Sequence, residues 1–96
     1  MMRSCFSEFK VPNGKLLKVS VSFDDVIHSV RITGDFFLYP EELIIDLEES
    51  VNLLPVDTSA GYISSLLQDV LNTYNGVAVG FSADDLAQVI WRCMRQ

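Results

Sequence analysis

The stretch KLLKVSVSF, Lys15 to Phe23, constrains the fold more than any other part of the chain. Leu17, Val19, Val21 and Phe23 alternate with Leu16, Lys18, Ser20 and Ser22. A period of two sends one set into a core and the other toward solvent, which suits a half-buried strand and not a helix. Pro12-Asn13-Gly14 precedes it, and Asn and Gly tolerate positive φ, so Ser4 to Val11 is expected to pair antiparallel with this strand. Asp24-Asp25 supplies a weaker turn, able to enter the left-handed region at more cost than Asp-Gly, and Val26 to Thr33 returns as a third strand.

Beyond Pro40 the period changes. Pro40 suits a first helical position, Glu41 and Glu42 favour the positive end of the helix dipole, and Leu43, Ile44, Leu47 and Val51 form an apolar stripe. A second helix is expected to begin near Asp57-Thr58-Ser59, with Ile63, Leu66, Leu67, Val70, Leu71 and Tyr74 at helical spacing. The third has Ser82 as N-cap, Asp84 and Asp85 in its first turn, Phe81 placed to staple against Leu86, and Leu86, Val89, Ile90 and Cys93 as its buried face. Residues 53–57 and 75–81 read as loops. Strands followed by helices argue an α+β fold, a three-stranded antiparallel sheet followed by three helices packed on one face. With 96 residues, 49% of them hydrophobic, the chain is read as one domain, 1–96, around a thin core.

Charge narrows the function. The net charge is −6, and five of the seven basic residues (Arg3, Lys10, Lys15, Lys18, Arg31) precede residue 32, while Ile32 to Trp91 holds ten acids and no Lys or Arg. Such a surface repels nucleic acid and anionic membranes, so neither is expected as a partner. The segment Met1 to Val11 carries Arg3, Glu8 and Lys10 and lacks the apolar run of a signal peptide, and no run approaches the ~18 residues of a membrane helix; a soluble, cytoplasmic chain is expected.

Few residues offer chemistry. Cys5 and Cys93 lie far apart with no C-x-x-C, which argues against a zinc site or a disulfide framework; Cys93 is expected to pack as a small hydrophobe. His28 shares parity with Val26, Val30 and Ile32 and is expected at the hairpin end of the core-facing row, without a catalytic partner. Glu48-Glu49 with Asp46 reads as a solvated helix face and not a metal site, GVAVG as a hydrophobic connector lacking the Lys and Ser/Thr of a phosphate loop, and Trp91 as a core-edge residue.

The segment ITGDFFLYPEEL, Ile32 to Leu43, differs. Gly34 can turn the chain sharply at the strand end, and Asp35 can accept backbone N–H groups of the turn. Adjacent residues of an extended segment point to opposite sides, so one of Phe36 and Phe37 is expected to face the core and the other a partner. Gly34, Asp35, Phe36 and Phe37 are therefore the candidate contact residues for a partner, and no catalytic or metal-binding residue is assigned.

The run GKLLKVSVSFDDVIHSVRITGDFF, followed by an acidic helix, a second helix and GFSADDLAQVI, resembles the small accessory domain of lipoate–protein ligases over about Phe6 to Met94. The strand–GDFF–helix passage is the most specific part, supported by Gly80, Phe81, Ser82 and Leu86; Asp25 departs from the glycine that similar sequences tend to carry in the hairpin. The resemblance implies the fold of iron–sulfur scaffold and sulfur-acceptor proteins of the SufE/NifU-like type. It also implies a job. In these ligases a large catalytic domain joins lipoate to AMP using ATP and magnesium and passes the lipoyl group to a lysine of an acceptor domain, while the small domain assists adenylation. The Arg-Arg-x-Ser-Gly-Gly-Gly motif and the binding lysine of the catalytic domain are missing here, so the resemblance implies a separate, non-catalytic accessory subunit. Its partner would be the catalytic subunit, with lipoyl-acceptor domains met indirectly, and ATP, magnesium and lipoate would belong to the complex. The alternatives are an iron–sulfur scaffold or sulfur acceptor on the same fold, or a general interaction domain.

Overall fold

The computed structural model describes residues 1–96. In chain order it contains β1 (Arg3–Lys10), β2 (Leu16–Phe23), β3 (Ile27–Gly34), β4 (Phe37–Tyr39), α1 (Leu43–Ser50), α2 (Ala60–Thr73), β5 (Val77–Val79) and α3 (Ala83–Cys93). Strands β1, β2 and β3 form an antiparallel sheet in sequence order, and β4 and β5 pair antiparallel in a separate ribbon. The fold class is that expected, α+β with a three-stranded antiparallel sheet and three helices. Alternation in β2 buries Leu17, Val19, Val21 and Phe23. Helix α3 lies across β1 and β2, α1 against β3, and α2 packs on both helices. The opposite sheet face, including Ser4, Phe6, Glu8, Ser20, Ser29 and Arg31, is exposed.

Local signals hold where hydrogen bonds are local. Asn13 takes φ 59°, and the turn closes through Gly14 N–H to the Val11 carbonyl at 2.9 Å. Ser59 caps α2 by accepting the Tyr62 N–H, and Ser82 and Asp85 make a reciprocal capping box at α3. Leu86, Val89, Ile90 and Cys93 are all buried, as is Phe81.

Several expectations are corrected. The Asp24-Asp25 turn forms without positive φ; Asp24 instead accepts the Val26 N–H at 3.1 Å through its own carboxylate. A register shift beside Ser22 and Phe23 pairs Ser22 with Ser29 and Phe23 with Ile27, leaving His28 as the extra residue. His28 therefore faces solvent and bonds Asp24 at 2.8 Å, while Ile27 takes the buried place. Pro40 is not the first helical residue: its carbonyl accepts the Leu43 N–H, and α1 begins at Leu43 with no side-chain cap from Glu42. Residues 75–81 are not simply a loop, since they contain β5. On α2, Tyr74 lies outside the buried stripe, whereas Ile63, Leu67 and Leu71 are in it.

Two corrections concern how the outer layers are fastened. Glu48 is half-buried and accepts the Ile32 N–H at 2.8 Å, so a residue read as solvated satisfies the free edge of β3. The segment after α1 pairs with the start of that edge, with Leu53 N–H to the Ile27 carbonyl and Ile27 N–H to the Leu54 carbonyl. Cys5 and Cys93, expected to be separate, form a disulfide with Cα atoms 5.7 Å apart across 88 residues of sequence. The reason is topological: the last helix returns over the first strand, a long-range contact to which spacing along the chain is blind.

Candidate functional site

The GDFF corner joins the main sheet to the ribbon. Gly34 adopts φ +152°, and a Cβ there would meet the Leu16 carbonyl oxygen at 2.1 Å, so the position admits only glycine without a backbone shift. Asp35 does not close a local turn. Its carboxylate accepts the Leu16 N–H at 2.9 Å and its own N–H donates to the Leu16 carbonyl at 3.3 Å, which clamps the corner to the start of β2.

The two rings then part, as alternation requires. Phe36 is half-buried and meets Phe81 edge to face, with centroids 4.7 Å apart and planes at 62°. Phe37 is 70% exposed. A groove of about 240 Å³ lies beside them, lined by Phe36, Phe37, Leu38, Glu41 and Ile44.

The ribbon extends this surface in a way that the sequence reading missed. Phe37 pairs with Val79 and Tyr39 with Val77, so these four share one face, while Leu38, paired with Ala78, points inward and is buried. Tyr39 is 74% exposed, and Val77 and Val79 are about half exposed. The ribbon is held from below at both ends: the Gly80 carbonyl accepts the Lys15 N–H at 2.9 Å, and Gly76 is packed so closely on Leu43 that a Cβ would come within 2.5 Å of it. The Val77-Ala78-Val79 alternation between Gly76 and Gly80 was the available signal, but three residues are too short to separate a strand from a connector.

Elsewhere the surface offers less chemistry. A polar cleft of about 460 Å³ between α2 and the start of α3 includes Ser64, Gln68, Asp69 and Asp84, with Ser64 donating to Asp84. A shallow depression at Lys18, Thr33 and Asp35 adjoins the corner. Asp24 sits below the usual carboxylate range because it accepts the Val26 N–H and, next, bonds His28. No three His, Cys, Asp or Glu side chains come together to hold a metal ion. No helix is long and apolar enough to cross a membrane. Trp91 is half-buried at the core edge with the Arg95 guanidinium 4.0 Å above its ring.

No family model and no curated protein matches the chain. Among solved structures it is similar to a chain from an archaeal lipoylation system, a bipartite lipoate protein ligase and its E2 lipoyl domain from Thermoplasma acidophilum, at 26% identity and a TM-score of 0.69, covering 94% of each chain.

Proposed function

We propose that this chain acts in protein lipoylation as the non-catalytic accessory subunit of a bipartite lipoate–protein ligase, needed for activation of lipoate to lipoyl-AMP before transfer to an acceptor lysine. The observation that carries the reading is the near full-length likeness to a chain of the Thermoplasma acidophilum lipoylation system, together with the GDFF corner that the sequence resemblance singled out. In this reading the catalytic subunit holds ATP, magnesium and lipoate, and the accessory chain carries no Gly-Lys-Ser/Thr phosphate loop of its own. The accessory chain contributes shape: Gly34 and Asp35 fix the corner, Phe36 anchors it on Phe81, and Phe37 stands clear of the core for the catalytic subunit or its bound intermediate.

The working place in this reading is the cytoplasm, where disulfides are rare except in organisms such as hyperthermophiles that keep them inside the cell. The iron–sulfur or sulfur-acceptor alternative needs free thiols, and both cysteines are paired.

The test is to add the purified chain to the catalytic subunit of a bipartite ligase and follow lipoyl-adenylate formation with lipoate and Mg–ATP. Activity that needs both chains is expected, with none from this chain alone and no micromolar ATP binding by it in titration calorimetry. Full adenylation by the catalytic subunit without this chain would overturn the proposal.

A further inference from the structure

The outer face of the β4–β5 ribbon is left without a covering element. Phe37, Tyr39, Val77 and Val79 lie on it in two cross-strand pairs, each at least half exposed. Together they make an apolar surface on the order of 400 Å², at the size where exposed patches on a small monomer mark an interaction site. The groove beside Phe37, Glu41 and Ile44 continues the same surface.

The surroundings say what can cover it. Glu41 lines the groove, the exposed Glu42 follows it directly, Asp46 lies in the first turn of α1, and Lys15 bonds Gly80 at the end of the ribbon through its backbone N–H. A second copy would bring a like-charged rim against this one, since the chain has a net charge of −6, and an anionic bilayer would be repelled in the same way. We infer that the β4–β5 face docks a protein surface with an apolar centre and a rim of Lys and Arg, and that this surface belongs to the catalytic subunit. The identity of the partner rests on the proposed function; the location and the basic rim rest on the ribbon.

Tyr39 and Val79 point outward from the ribbon, 74% and 52% exposed, so their variants are expected to fold. Tyr39→Glu and Val79→Glu keep the wild-type melting temperature and weaken binding to the purified catalytic subunit by about tenfold or more each. Phe6→Ala on the open sheet face leaves binding unchanged. Val79→Lys, which opposes a basic rim as Glu cannot, weakens binding more than Val79→Glu does. Wild-type affinity in both Glu variants, with the complex and its adenylation intact, overturns the docking site and leaves the functional proposal standing. Absence of any complex with the wild-type chain overturns both. A dimer of this chain that Val79→Glu dissolves overturns the assignment of the occupant in favour of self-association.

Discussion

Helix α3 and the β4–β5 ribbon use apolar side chains in opposite ways. In α3, Leu86, Val89, Ile90 and Cys93 all point into the core, and the polar residues face outward. In the ribbon, Leu38 points inward while Phe37, Tyr39, Val77 and Val79 stand in solvent. Exposing that much apolar surface forgoes burial worth about 25 cal/mol per Å². The fold closes its β3 edge at Ile27 with Leu53 and Leu54 and at Ile32 with Glu48, yet leaves the ribbon face open.

Substitutions should separate the two regions by stability. Ile90→Ala is expected to cost about 2–5 kcal/mol, and Val79→Ala within ~0.5 kcal/mol, measured by denaturant unfolding. Equal losses would mean the ribbon face is packed in solution and the comparison fails. Cys93→Ser acts on the closed layer alone and, by releasing a constraint across 88 residues, is expected to cost about 2–5 kcal/mol, with reductant producing a similar loss in the wild type.

The links between the regions are weaker. Glu48→Ala leaves the Ile32 N–H without its carboxylate partner and is expected to cost about 1–3 kcal/mol. Asp35→Ala loses one bond to Leu16 and should cost about 0.5–1.5 kcal/mol, with the loss shared between folding and activation because the corner positions both rings. The order Glu48 before Asp35 is checked by the same unfolding measurement. Far from both regions, the Asp24 pair gives a small pH effect. A carboxyl with a lowered folded pKa contributes stability that is present above its ordinary value of 3.8 and lost as pH falls through the lowered one. His28→Ala should raise the Asp24 midpoint in an NMR titration without returning it to 3.8, because the Val26 N–H bond remains.

What was legible in the sequence follows the range of the interactions. The β2 alternation, the Pro-Asn-Gly turn and the Ser82–Asp85 capping box are set by residues within a few positions of one another, and each appears as read. His28 was misplaced because a bulge breaks the parity that the reading assumed. The Asx pattern of Asp35 implies a local bond, yet its carboxylate reaches Leu16, 19 positions back; Glu48 reaches Ile32, and Cys5 reaches Cys93. The candidate site was half visible: the divergence of Phe36 and Phe37 follows from backbone geometry alone, whereas Tyr39, Val77 and Val79 join it only through a strand pairing across about 40 residues.

An opposing electrostatic check bears on the docking face. If an acidic half meets a basic rim, association with the catalytic subunit slows as salt rises. A rate unchanged between low and high salt would contradict docking of the acidic half on a basic rim.

The central claim, that one ring of the corner builds the fold and the other serves the partner, is tested most directly by a paired measurement on Phe36→Ala and Phe37→Ala. Melting temperature is measured for each variant, and lipoyl-adenylate formation with the catalytic subunit is read at a temperature where both are folded. Phe36→Ala should lose about 3 kcal/mol of stability, the low end for a buried ring because Phe36 is only half-buried. Phe37→Ala should melt with the wild type and lose about 1–3 kcal/mol of binding or activation. Equal destabilisation of the two variants, with adenylation unimpaired in both while folded, would contradict the account and make the corner a packing element alone.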